Sequence, residues 1–192
     1  MIDDLSEPWT QERFFDWAQI QNDRYEFDGV RPVMMPREIN RHGAIGVNLR
    51  VALHSRLRES ECTALGGNCG LETVNKTVRY PDALVTCTEL ESYAHVVAGV
   101  VAVFEVVSQD SNRTDRYDKF REYTAVPCIR RYVIVESFCI GVTVLERQPD
   151  DSWTLAVLTG EDILRLPDIG IEIPVAEIYE DIGFPDDEDG PA

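Results

Sequence analysis

Val96-Val97-Ala98-Gly99-Val100-Val101-Ala102-Val103-Phe104-Glu105-Val106-Val107-Ser108 is the most apolar stretch of the chain, and it carries a single acid, Glu105, near its far end. The valine-rich run over 96–107 reads as a buried strand at the centre of a sheet. A carboxylate at the end of such a strand is costly unless something pairs with it. Upstream, Tyr80-Pro81-Asp82 sets a second acid in strand-like sequence over 78–87. A divalent cation shared by Asp82 and Glu105 would supply the missing partner.

Downstream, the polar stretch 108–112 leads into a predicted helix over 113–125 that contains Asp115-Arg116-Tyr117-Asp118-Lys119. Two carboxylates followed by a lysine are the parts of a metal-dependent phosphodiester-cleaving site. Cleavage needs a cation to neutralise charge on the phosphoryl group and an activated water. Mg²⁺ prefers hard oxygen ligands and keeps several waters, so Asp82 and Glu105 suffice, with the Val106 backbone carbonyl as an extra ligand. Mn²⁺ is the alternative ion. Lys119 is placed to orient or deprotonate the water, or to stabilise developing charge. The chain has only one other lysine, Lys76, against sixteen arginines.

Outward from this segment, the spacing predicts a helix capped by Thr10 and running to about Gln21. A hairpin follows around Asp28-Gly29, its first strand carrying Glu26. Pro36 opens a long helix over 37–59, with Ile39, Ile45, Leu49, Leu53 and Leu57 on one side and arginines on the other. Gly66-Gly67-Asn68 reads as a loop, and strands are predicted over 71–74, 78–87, 96–107, 131–137, 141–147 and 153–158. The acidic remainder is expected to hold one short helix at most, around 175–180. Helix, hairpin, long helix, strands, helix and strands in this order predict an α/β fold, a mixed β-sheet flanked by helices. The expected organisation is one domain over 1–184 and a disordered acidic tail over 185–192.

A chain of 192 residues with 44% hydrophobic content is large enough to bury a core. No run approaches the length of a membrane helix, and Met1-Ile2-Asp3-Asp4 lacks the basic-then-apolar order of a signal peptide. A cytoplasmic protein with no membrane partner is expected. The five cysteines have no CxxC pair and read as reduced thiols. The net charge of −17 is concentrated at the ends: residues 161–192 carry eleven acids and one arginine, residues 1–16 five acids and one arginine. The near-neutral body does not exclude a nucleic-acid substrate, although the total weakens the case for tight nonspecific binding.

These residues, in this order, resemble the Uma-two family within the PD-(D/E)XK nuclease superfamily, which has a restriction-endonuclease-like core. The resemblance covers about residues 10 to 165. It rests on Tyr25-Glu26-Phe27-Asp28-Gly29, Pro81-Asp82, Glu105-Val106-Val107-Ser108, Asp115 with Lys119 and Tyr123, and Arg131-Tyr132-Val133-Ile134-Val135-Glu136. It implies Asp82 and Glu105 as metal ligands and Lys119 as the catalytic lysine. In the superfamily pattern that lysine lies two residues after the second acid, where this chain has Val107; the family is similar in carrying it on the following helix. Glu26 matches an acid that reaches the site from the first strand. Asn112 and Glu136 depart from the family's usual Thr and Asp.

Blander readings stand beside these. Glu26 also reads as a solvated hairpin acid, Ser108 and Asn112 as helix caps, and Tyr123 as core packing. His42, His54 and His95 read as surface or hydrogen-bond-satisfied histidines, and the arginines of the long helix as a solvated face. Two functions fit: a metal-dependent endonuclease acting on DNA, with a homodimer as an open alternative to a monomer, and an inactive nuclease-fold module that binds nucleic acid or a protein. Asp186, Asp187, Glu188 and Asp189 lie where little apolar surface can be buried. A tethered anion near a cleft competes with phosphate, and salt weakens the competition. Deleting 185–192 should therefore raise DNA affinity at low salt, read by fluorescence anisotropy, and leave the melting temperature nearly unchanged. A large drop in melting temperature would make the tail a docked part of the fold.

Overall fold

Apolar spacing and turn residues set the order of elements in the computed structural model, which describes residues 8–37, 39–108 and 113–184, with the backbone alone for 113–116. Helix α1 (Gln11–Ala18) starts at Thr10, whose hydroxyl accepts the Arg13 N–H, and it buries Phe14. Strands β1 (Tyr25–Phe27) and β2 (Pro32–Met34) pair antiparallel. At their turn, Asp28 Oδ1 accepts the N–H groups of Val30 and Arg31, and Gly29 takes φ +88°, where a side chain is disfavoured. Helix α2 (Asn40–Leu57) buries Ile45, Leu49, Ala52, Leu53 and Leu57. Ile39 is extended and 59% exposed, so it precedes the helix and lies outside the apolar stripe that the spacing predicts for it.

Strands β3 (Thr63–Gly66), β4 (Leu71–Glu72), β5 (Val78–Arg79), β6 (Ala83–Thr86) and β7 (Val100–Val107) follow. Helix α3 (Arg113–Ala125) leads to β8 (Arg131–Glu136), β9 (Val142–Arg147) and β10 (Trp153–Leu158). The chain closes with β11 (Ile163–Leu166), β12 (Ile171–Pro174) and the one-turn helix α4 (Val175–Ile178). The main sheet has the order β10-β9-β8-β7-β6-β3, antiparallel throughout except for the parallel β7–β8 pair that α3 connects. A second sheet has the order β2-β1-β5-β4.

The predicted strand over 78–87 is in fact two. β5 belongs to the second sheet and β6 to the main one, and the chain crosses between them at Tyr80-Pro81-Asp82. Proline has no N–H for a ladder, so the break falls there. The sequence predicts no strand ahead of Gly67 and reads Gly66-Gly67-Asn68 as a loop, but β3 ends on Gly66; it is short, and only its pairing with β6 identifies it. The acidic remainder likewise holds the β11–β12 hairpin in addition to the expected helix. Along it Leu164, Leu166, Ile171 and Ile173 point into the core, while Arg165 and Glu172 point out.

Two layers cover the main sheet. On one face α2, the β11–β12 hairpin and α4 enclose Phe104, Val106, Val133 and Val135. On the other, Tyr123 of α3 packs with Leu84, Val103 and Tyr132. Full burial of each such side chain stabilises by about 1.5–3 kcal/mol. Among the described residues no helix is long and apolar enough to cross a membrane. Asp3, Asp4 and Glu7, Asn112, the Asp115 side chain and the tail over 185–192 lie outside the described residues.

The antiparallel register Thr63↔Thr86 sets Cys62 and Cys87 opposite each other at the next position, and they form a disulfide with Cα atoms 3.9 Å apart. The expectation of five reduced thiols is corrected for this pair; Cys69, Cys128 and Cys139 are free. The bond closes a loop of sequence separation 25, for which chain entropy gives about 3.5 kcal/mol. Denaturant unfolding with and without reductant should differ by up to this amount, and Cys62→Ser should behave as the reduced wild type in both conditions. Equal midpoints with and without reductant would mean that the bond adds nothing in solution.

Candidate active site

Strand register brings the two central acids together. Ala83 pairs with Phe104, so Asp82 enters the strand end beside Glu105, and Asp82 Oδ2 accepts the Val106 N–H at 2.7 Å. Glu105 is only 5% exposed. Its Oε1 accepts the Tyr123 hydroxyl at 2.6 Å and lies 3.1 Å from Lys119 Nζ. Lys119 and Tyr123 are four residues apart on α3, so they share a helix face. Because α3 connects the parallel strands β7 and β8, that face returns over the strand carrying Glu105.

Glu26 reaches the same cluster from β1. Its Oε1 lies 3.8 Å from Lys119 Nζ and accepts the Tyr80 N–H at 3.3 Å; its Oε2 is 2.9 Å from Arg79 Nη1. Arg79, itself buried, holds Glu122 of α3 through Nε and Nη2, both at 2.7 Å. The guanidinium thus ties the second sheet to the helix that presents Lys119. Asp82, Glu105, Lys119 and Glu26, the four residues picked out in the sequence, are brought to one place.

Burial pushes the Glu105 carboxyl up to about 7, and the neighbouring Asp82 and Glu26 charges push the same way against the pull of Lys119 and the Tyr123 hydrogen bond. The Tyr123 hydroxyl is raised well above its usual range by burial and by the adjacent Glu105, so it remains a donor. Among the described residues, no group of three or more His, Cys, Asp or Glu side chains forms a metal cage. A hard cation that keeps its waters needs only one or two carboxylates. Asp82, Glu105 and the Val106 carbonyl are hard oxygen donors, the kind such an ion takes, and a positive charge there would offset part of what burial and the neighbouring acids cost Glu105.

Other residues join that sequence reasoning did not place here. His42, on the first turn of α2, has its Nε2 2.7 Å from the Val106 carbonyl oxygen and 3.6 Å from Asp82 Oδ2. It is hydrogen-bonded, one of the two states expected for it, but no spacing in the sequence ties it to Asp82. Arg50 Nη1 donates to the Asp82 carbonyl at 3.3 Å. A Cβ at Gly66 would stand 2.8 Å from Arg50 Cδ, so the bare backbone there lets the side chain pass. Arg56 pairs with Glu177 through two bonds of 2.8 and 2.6 Å. Arg50 and Arg56 are therefore engaged in the fold, whereas the sequence reads the helix arginines as a solvated face.

A model of the family Uma2, described as "Putative restriction endonuclease", matches residues 11–176, and the chain belongs to that family. It is 26% identical over 176 residues to the uncharacterised protein slr1290 of Synechocystis, covering 90% of this chain and 92% of that one. It is 28% identical over 86 residues to the uncharacterised protein sll1609 of the same organism, which covers 43% of this chain and 49% of that one. The fold is similar to the crystal structure of "a putative nuclease belonging to DUF820" from Anabaena variabilis, with a TM-score of 0.70 and 14% identity, over 90% of this chain and 98% of that one. The mixed sheet flanked by helices is thus that of a nuclease-like neighbour.

The raised Glu105 carboxyl links stability to pH. A group whose folded pKa lies above its unfolded value adds stability that is complete below the unfolded value, here about 4.5, and lost as pH rises through about 7. In metal-free protein, the unfolding free energy of the wild type relative to Glu105→Gln should fall across that window, by on the order of 3 kcal/mol, and level off above it. A difference that stays flat from acid to neutral pH would show that Glu105 carries no such charge cost.

Proposed function

We propose that the chain is a metal-dependent endonuclease that hydrolyses DNA phosphodiester bonds. The observation that supports this most is the Lys119 ammonium, 3.1 Å from a buried Glu105 that lies beside Asp82 at the end of the central strand. Asp82, Glu105 and the Val106 carbonyl would hold Mg²⁺ or Mn²⁺, which when bound supplies charge neutralisation at the phosphoryl group and a more acidic water. The remaining work falls to side chains. Lys119 presents N–H donors where the attacking water and the phosphoryl oxygens would lie. Glu26 steadies Lys119 alongside Glu105, and Arg79 steadies Glu26. The Tyr123 hydroxyl fixes the Glu105 carboxylate, leaving its second oxygen for other contacts.

The test is a cleavage assay with Mg²⁺ and with Mn²⁺ on supercoiled, linear duplex and single-stranded DNA. Wild type should cut at least one form, Asp82→Ala should not, and Lys119→Met should lose about 10²–10⁴-fold in rate while unfolding near the wild-type midpoint. Folded wild type that cuts no form with either ion would leave the inactive nucleic-acid- or protein-binding module as the better reading. Normal cutting by Lys119→Met would move water activation to Glu26 or to a second cation.

A further inference from the structure

We propose that β10 is the interface of a homodimer: two copies of the chain pair their β10 strands antiparallel about a two-fold axis at Leu155, joining the main sheets edge to edge. β10 stands at the rim of the main sheet and, among the described residues, pairs only with β9. Its neighbours' backbone bonds fix which groups are left over. The Gln148 N–H donates to the Ser152 carbonyl at 2.8 Å, whereas the Arg147 N–H turns to β8 and donates to the Arg130 carbonyl at 2.9 Å. Position 148 is therefore bonded to the β10 side and position 147 is not, and an antiparallel ladder alternates from there. Thr154 and Ala156 bond to β9, while the N–H and carbonyl groups of Trp153, Leu155 and Val157 point outward.

A second copy fits these groups rung by rung. With Leu155 opposite the partner's Leu155, Trp153 falls opposite the partner's Val157 and Val157 opposite the partner's Trp153, and each of these residues gives and takes a backbone bond. Their side chains share the sheet face of Leu145, so every such rung is apolar and continues the cluster around Tyr123 and Tyr132. Leu155 and Val157 are 63% and 67% exposed, and this ladder would cover them. Edge strands are ordinarily blunted by brevity, charge, proline or a bulge. β10 has six residues in unbroken register with no charge and no proline, whereas β3 at the opposite rim has four. The acids nearest in sequence, Asp150, Asp151, Glu161 and Asp162, only flank the strand. In this register Asp150 and Asp151 come level with the partner's Gly160 and the partner's Thr159, not with an acid. Any extended chain would find the same backbone, but β10 itself brings an apolar side chain to each of these rungs and no charge. Two-fold pairing uses up both edges, so assembly closes at the dimer.

The test is sedimentation velocity of the full chain from micromolar to near-millimolar concentration, with residue-resolved amide exchange by NMR at both ends of that range. Wild type should pass from monomer to dimer and no further, and added salt should favour the dimer because each copy carries a net charge of −17. Exchange at Trp153, Leu155 and Val157 should slow in the dimer, while Thr154 and Ala156, already bonded to β9, change little. Leu155→Lys, which sets like charges opposite each other across the axis, should weaken the dimer by about tenfold or more. Wild type that stays monomeric throughout would overturn the proposal and leave the edge to a different chain. A dimer whose Trp153, Leu155 and Val157 amides exchange as in the monomer, or one that Leu155→Lys forms as tightly, would overturn it in favour of another surface. The exchange pattern needs no variant, so it decides the matter even if Leu155→Lys fails to fold.

Discussion

The carboxylate of Glu105, buried at the end of the central strand, constrains everything around it. An ionised acid there must be met by cations and donors, and the chain supplies them from separate elements: Lys119 and Tyr123 from α3, and the second sheet through Glu26. The parallel β7–β8 pair makes this workable. A parallel return demands a crossover, and the crossover helix lies over the strand it has just left. The topology that buries the acid also delivers the groups that answer it. Their answer is incomplete, because burial, with the nearby Asp82 and Glu26 charges, still raises the carboxyl, and a second positive charge would find a favourable field.

Arg79 extends the same logic to the second sheet. Bidentate on Glu122 and bonded to Glu26, it is a buried cation between two acids from different elements. Removing either acid would leave charge uncompensated in a poorly solvated place, which costs far more than the pair contributes when intact. The geometry of Lys119 is thereby tied to β1 and β5 as well as to its own helix. The break at Tyr80-Pro81-Asp82 acquires a meaning: β5 holds Arg79, β6 belongs to the main sheet, and Asp82 sits at the crossing point between them.

Legibility in the sequence followed how local each signal was. β10 and α3 fall where patterning put them, and β7 is shorter only because Gly99, at φ +63°, turns the chain before Val100. Asp82, Glu105 and Lys119 were readable because each sits in a short segment whose neighbours declare its setting. His42, Arg79 and Glu122 were not, since their contacts span 64, 53 and 43 residues and leave no periodic trace. The cross-strand disulfide needed a register that only the paired strands supply. The β11–β12 hairpin was hidden differently: its alternation of apolar and charged residues is present, but the surrounding acids drew the reading toward an unstructured segment.

That hairpin changes what the net charge means. Asp168 lies 2.8 Å from Arg131, Glu172 lies 3.2 Å from Arg165, and Glu177 grips Arg56. These acids lie in the stretch whose excess charge argued against DNA, yet they neutralise arginines locally rather than projecting a uniform field. The same pairs remove Arg56 and Arg131 from any pool of phosphate-binding groups, and Arg50 and Arg79 are engaged elsewhere. Those four arginines therefore add little to affinity for a polyanion, because counterion release scales with the number of phosphates neutralised. On the function proposed above, binding of a polyanion would draw on the cluster at the end of β7, where cation and lysine together would supply positive charge. Its salt dependence would be shallow and its dependence on divalent ion steep, the reverse of a protein that holds nucleic acid by a basic surface.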